Sequence, residues 1–194
     1  MLRITLLIVT MLTLLTGELR IRDSAFGLNI GSQGSGIMYQ RRWEMKPNLF
    51  TGAEIRFFDI KSKDELIIYD YYSGQSYTVN DQSLVMIPIF GSLFYFPFHG
   101  KIENNFTPFI TAKAGPLITI NGDESYARFV DRWQSPEFQI TLGGYIGVGT
   151  DILWMGGSVL SISVGMDIFP MRGRVDGKTQ YSGLLFQIAF GRRK

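Results

Sequence analysis

Apolar and polar residues alternate along most of this chain with a period of two, the signature of β-strands, whose successive side chains take opposite faces. The clearest case is 138–150, where Phe138, Ile140, Leu142, Ile146 and Val148 stand against Gln139, Thr141, Gly143, Tyr145, Gly147 and Gly149. The pattern recurs at 24–32 (Phe26, Leu28, Ile30 against Ala25, Gly27, Asn29, Gly31) and at 36–44 (Ile37, Tyr39, Trp43 against Met38, Gln40, Arg42, Glu44). At 49–60, Leu49, Thr51, Ala53, Ile55 and Phe57 oppose Glu54 and Arg56; at 106–121, Ile110, Ala112, Ala114, Ile118 and Ile120 oppose Thr111, Lys113, Gly115 and Thr119. Two more segments follow, 158–168 (Leu160, Ile162, Val164, Met166, Ile168 against Ser161, Ser163, Gly165, Asp167) and 180–190 (Leu184, Phe186, Ile188, Phe190 against Gly183, Leu185, Gln187, Ala189). A further segment, 83–96, is apolar on both parities and contains Pro88, which cannot donate to a ladder.

So many greasy faces need cover, and the chain has little helical sequence to supply it. Lipid around a closed barrel is the simpler cover. Eight strands return both ends of the barrel to one side of the membrane. After the tight SQGSG turn, the connections near Pro47, His99 and Trp154 are short, whereas those around Tyr72, Arg128 and Arg174 are longer and polar. Small outer-membrane barrels have this arrangement, with short inner turns and long outer loops. Within the first long loop, LIIYDYYSGQSYTVN reads as a hairpin reaching beyond the bilayer. Tyr39, Trp43, Phe57, Tyr95, Phe138, Trp154, Phe169 and Phe190 fall at or near strand ends, where aromatic belts form. Arg41 interrupts the outer parity and has to snorkel to a headgroup.

Met1, Leu2 and Arg3 precede an apolar run, Ile4 to Leu15, and then Thr16 and Gly17. The run is shorter than the roughly 20 residues a spanning helix needs, so it reads as a secretory signal cut near Gly17. The expected organisation is a signal at 1–17, one barrel domain at 24–190 and a basic tail at 191–194. A formal charge of +2 provides no basic field for nucleic acid. The absence of cysteine removes disulfides, a lipid-modified N-terminal cysteine and thiol chemistry together. With 22 glycines, 15 phenylalanines and 9 tyrosines, the composition suits strands and tight turns more than a helical bundle.

The closing segment resembles the assembly signal of outer-membrane barrels: a polar residue, then Gly183, then hydrophobic Phe186 and Ile188, ending in aromatic Phe190. The tail Gly191, Arg192, Arg193, Lys194 departs from the usual aromatic terminus, so the barrel-assembly machinery would read an internal signal. FTPFITAKAGPLI, 106–118, is similar to the proline-aromatic, glycine-punctuated strand of the OmpA/OmpX-like superfamily of small outer-membrane β-barrels. The resemblance covers most of the chain beyond the signal and rests on patterning. It implies an all-β fold: an eight-stranded, antiparallel, up-and-down transmembrane β-barrel, closed, with a mostly plugged polar interior.

The interior of an eight-stranded barrel is just wide enough for side chains to fill. Inward-facing Arg42, Glu44, Glu54, Arg56, Lys113 and Asp167 are expected to pair into a plug, because buried charges require partners. A narrow channel for small solutes is the alternative use of the same residues. An enzyme would need a nucleophile beside a base, and the sole histidine, His99, lies in the inner-side turn FPFHGK with no serine beside it in sequence. The pairs Asp64 with Glu65 and Asp123 with Glu124 lack the spacing of a calcium loop, and no zinc spacing or phosphate-cradling glycine loop is present. No catalytic residue, cofactor or metal is therefore assigned.

Tyr69, Tyr71, Tyr72 and Tyr77, with Trp133 in the next loop, form the expected contact surface for an extracellular protein or glycan. Sheet propensity and interface anchoring account for the same tyrosines without a partner. In a soluble, lipocalin-type barrel the apolar parity would turn inward around a small hydrophobic ligand, leaving Glu54, Arg56, Lys113 and Asp167 in water. The long apolar runs, the extra greasy segment and the closing signal favour lipid instead. The chain is thus expected in the outer membrane of a Gram-negative-type bacterium, embedded in lipid, with a structural or surface-interaction role and no catalysis.

Overall fold

The computed structural model describes residues 20–60, 66–69, 71–72, 74, 76–79, 84–102, 105–122, 137–154, 156–175 and 178–193. The alternating segments become strands β1 (Arg20–Gly31), β2 (Gly34–Lys46), β3 (Leu49–Ile60), β6 (Leu84–Tyr95), β7 (Phe106–Asn121), β8 (Glu137–Leu153), β9 (Ser158–Ile168) and β12 (Gly183–Arg193). Each is antiparallel to both neighbours, and they close in the order β1-β12-β9-β8-β7-β6-β3-β2. Two hairpins stand apart from the wall, β4 (Leu66–Tyr69) with β5 (Ser76–Val79), and β10 (Pro170–Val175) with β11 (Lys178–Gln180). The first is the hairpin expected in the first long loop.

The spans 49–60, 106–121 and 158–168 are realised to the residue, while other ends move. β1 starts before residue 24, and β8 runs past 150 to Leu153. The last expected strand is shortened at its start: Gln180 belongs to β11 of the outer hairpin, and the closing strand starts only at Gly183. The break is fixed by Tyr181, whose N–H donates to the Phe169 carbonyl (3.0 Å), and by the Ser182 hydroxyl, which accepts from the Phe169 N–H (3.2 Å). Gly191, Arg192 and Arg193, expected in a basic tail, are instead strand, with Arg192 opposite Ser24 and Arg193 opposite Asp23.

Pro88 sits inside β6, opposite Leu117 of β7. The ladder from β6 to β3 is interrupted between the pairs Ile55–Ile89 and Phe58–Met86, so the missing N–H falls in a gap of that ladder. The apolar parity faces outward around the wall, with Phe26 71% and Leu142 74% exposed. A predominantly apolar exterior of this kind needs an apolar solvent. The lipocalin arrangement is thereby inverted, since Glu54, Arg56, Lys113 and Asp167 are buried inside.

The interior is plugged, and a central polar layer lies between two apolar clusters. Towards the long loops, Phe58, Ile60, Leu84, Met86, Phe90, Leu117, Phe169 and Leu185 pack together. Towards the short turns, Phe50, Phe94, Phe96 and Phe109 form a second cluster of rings. The inward parity of β6 feeds both, which is why 83–96 is apolar on each face. Phe169, expected in the outer belt, is only 2% exposed and belongs to this core: it continues the inward parity of Asp167. Inward glycines make room for inward rings. A Cβ on Gly165 would lie 2.6 Å from Cζ of Tyr145, and one on Gly149 would lie 2.6 Å from Cζ of Phe109.

Candidate functional site

Strand alternation carries Glu54 and Arg56 of β3, Lys113 of β7 and Asp167 of β9 into the middle of the lumen. Glu54 joins the two cations: one carboxylate oxygen pairs with Nε of Arg56, and the other accepts from Nζ of Lys113 at 2.6 Å. Arg56 Nη1 reaches Oδ1 of Asp167 at 2.8 Å. Two cations thus balance two anions. The layer extends through amides, because Lys113 donates to Gln187 Oε1 (2.9 Å) and Gln187 Nε2 donates to Asn29 Oδ1 (2.9 Å). Aromatic faces cover the cations. The Arg56 guanidinium lies 5.2 Å from the Phe90 ring centre and 5.1 Å from that of Tyr145, and Lys113 Nζ lies 4.8 Å from Tyr145.

Arg42 was expected in the same network but anchors a second one, nearer the short turns. Its Nε donates to Asp23 Oδ1 (2.7 Å), its Nη1 to Asp151 Oδ1 (3.1 Å) and its Nη2 to Ser161 Oγ (3.2 Å). Arg193 adds a second cation, 3.3 Å from Oδ2 of Asp151 and 3.8 Å from Oδ2 of Asp23. This layer too balances two cations against two anions, and its members come from β1, β2, β8 and β12. Glu44, two residues beyond Arg42 on β2, is half-exposed near the strand end. Asp23, Asp151 and Arg193 escaped the sequence reading because each lies beyond an expected strand end. Their parity was the available signal: Asp151 continues the inward series of Gly147 and Gly149, and Arg193 that of Ala189 and Gly191.

Chemically, both arrangements neutralise charge and fill space. At the loop end of the central layer, a cavity of only about 10 Å³ lies beside Gln33, Phe58, Asp167, Phe169, Tyr181 and Leu185. That volume is no more than one water molecule requires.

Outside the lumen, Tyr69, Tyr71 and Tyr72 stand at the tip of the β4–β5 hairpin, with Tyr72 98% exposed and the rings of Tyr71 and Tyr72 edge to face at 6.3 Å. Tyr77 lies on β5, and its side chain is outside the described residues, as are Asp64, Glu65, Asp123, Glu124, Trp133 and the signal segment. His99 is half-exposed in the turn between β6 and β7, its N–H donating to the Phe96 carbonyl (3.3 Å). Gly183 opens the closing strand against Ser32, while Phe186, Ile188 and Phe190 line its lipid-facing side.

No family model matches the chain, and no curated protein matches it. Among solved structures, Neisserial surface protein A (NspA) matches with a TM-score of 0.53 at 13% identity, over 88% of this chain and 92% of that one. This is the fold of the small outer-membrane β-barrels. Two further outer-membrane barrels, both from Pseudomonas aeruginosa, are also similar. The N-terminal β-barrel domain of OprF has a TM-score of 0.49 at 8% identity over 90% of this chain and 98% of that chain. Outer membrane protein OprG has 0.48 at 12% over 91% and 97%. At these identities the likeness is one of fold.

Proposed function

We propose that this chain is an integral protein of the outer membrane whose lumen is a structural plug and whose contacts with other molecules are made from the long-loop rim, without catalysis. The observation that carries this reading is the contrast between the two parities. The outer face is apolar and exposed around the wall, while the inner charges are spent on one another. A lumen so filled leaves the rim as the working surface. There the exposed Tyr69, Tyr71 and Tyr72 offer flat, amphipathic area at small rotamer cost, suited to a protein or glycan on the cell exterior. The surface location in the name of NspA agrees with this reading. The assembly machinery would engage Gly183, Phe186, Ile188 and Phe190 on the closing strand, and lipid covers the rest.

The test expresses the chain with its own leader in a Gram-negative host and follows the extracted protein on a denaturing gel with and without boiling. A band in the outer-membrane fraction that shifts on boiling, together with silent planar-bilayer recordings, is expected. A soluble product without the shift removes the membrane reading, and steady ion conductance removes the plug.

A further inference from the structure

We propose that the lipid-facing side of β1, β2 and β3 holds one anionic glycerophospholipid of the short-turn leaflet, its phosphate between Arg41 and Arg192 and an acyl chain in the groove beside them. The inference rests on the barrel being membrane-embedded, as argued above. On the outer face, Arg41 of β2 is opposite Ser24 of β1, and Ser24 is opposite Arg192 of β12. The two arginines are therefore two strands apart, roughly 10 Å between backbones at ordinary strand spacing. Each side chain is exposed, and among the described residues neither has a carboxylate partner. Arg41 is also held in place: its Nε donates to the Tyr39 hydroxyl at 2.7 Å, and its guanidinium lies 5.9 Å from the centre of that ring.

Tyr39 is where the polar and apolar halves of the site meet. Towards the middle of the membrane from it opens a groove of about 580 Å³ lined by Phe26, Leu28, Ile37, Ile55, Phe57 and Ile87. Ile87 and Phe57 lie where the β3–β6 ladder is interrupted next to Pro88. A guanidinium presents paired N–H donors to phosphate oxygens, and two of them beside an apolar slot match an anionic headgroup on a hydrocarbon chain. Both sit near the barrel end that carries the short turns and β12's last residues, so the leaflet on that side supplies the ligand.

The experiment takes the full barrel purified in detergent, checks its heat-dependent gel shift, adds phosphatidylglycerol and reads retained lipid by native mass spectrometry. One retained lipid per barrel is expected. Exchanging both arginines (Arg41→Gln with Arg192→Gln) should weaken retention by about tenfold or more, as for losing charge-assisted hydrogen bonds to a phosphate. Leu28→Trp, which fills the groove and leaves both charges in place, should weaken it as well. Glycerol 3-phosphate should not compete. No retained lipid, unchanged retention in either variant, displacement by glycerol 3-phosphate, or preference for lipid A of the opposite leaflet would each overturn the site. A barrel that shifts on heating yet ignores the lipid fails this inference alone; a protein with no heat shift fails the membrane reading with it.

Discussion

The lumen contains two layers of charge with the same arithmetic and different surroundings. The central one, Glu54, Arg56, Lys113 and Asp167, is walled by rings, and its four charges come from β3, β7 and β9. The other, Asp23, Arg42, Asp151 and Arg193, lies nearer the short turns, and Arg193 keeps 16% of its side-chain surface. It also bridges β1 and β12, the pair that closes the barrel. Equal charge balance therefore does different work. In the centre it makes a buried polar layer tolerable; at the end it also ties the seam.

If that distinction is right, the centre should be the more costly to break. Glu54→Ala leaves two buried cations facing one carboxylate and should destabilise by about 3–5 kcal/mol in urea unfolding of the refolded barrel, as for other broken buried ion pairs. Next, Gly165→Val drives a side chain against the Ile146 carbonyl of the neighbouring strand and into the Tyr145 ring that covers Arg56 and Lys113. A loss of about 2 kcal/mol is expected, within the usual range for overpacking, and Gly165→Ala should cost less. Asp151→Asn in the end layer should cost about 1.5 kcal/mol, because a partly exposed partner is easier to resolvate. If Asp151→Asn proves worse than Glu54→Ala in the same assay, the ordering of the two layers is wrong. The smallest effect is expected at the rim, where Tyr71→Ser with Tyr72→Ser should change stability by less than about 0.5 kcal/mol. The same pair should abolish whatever binding to glycan or protein arrays the intact protein shows.

The two layers also differ in how readable they were. The central charges lie well inside strands whose alternation is unbroken, so parity alone placed Glu54, Arg56, Lys113 and Asp167 indoors. The end layer depended on knowing where strands stop, and side chains mark that poorly because ladder hydrogen bonds belong to the backbone. Reading β1 from Ser24 lost Asp23, and ending the last strand at Phe190 lost Arg193. Phe169 failed for a related reason: its place near a strand end suggested the outer belt, while its parity pointed inward. The apolar layers were visible in 83–96 as a strand greasy on both faces, yet two greasy faces mean two apolar surroundings, and lipid is only one of them. Tyr69, Tyr71 and Tyr72 were legible as exposed rings, but nothing in the residue types names what they touch.

The seam has a consequence in time. β1 and β12 are the first and last wall strands in the sequence, and the wall stays open until they pair, Phe26 with Phe190 and Asp23 with Arg193. Until then an edge bearing Phe26, Leu28 and Ile30 remains open to the wrong partner. Arg193 reaches Asp23 and Asp151 only when the final strand has zipped along its whole length, so the end layer works as a latch that engages on a completed wall and stays undone on an unfinished one.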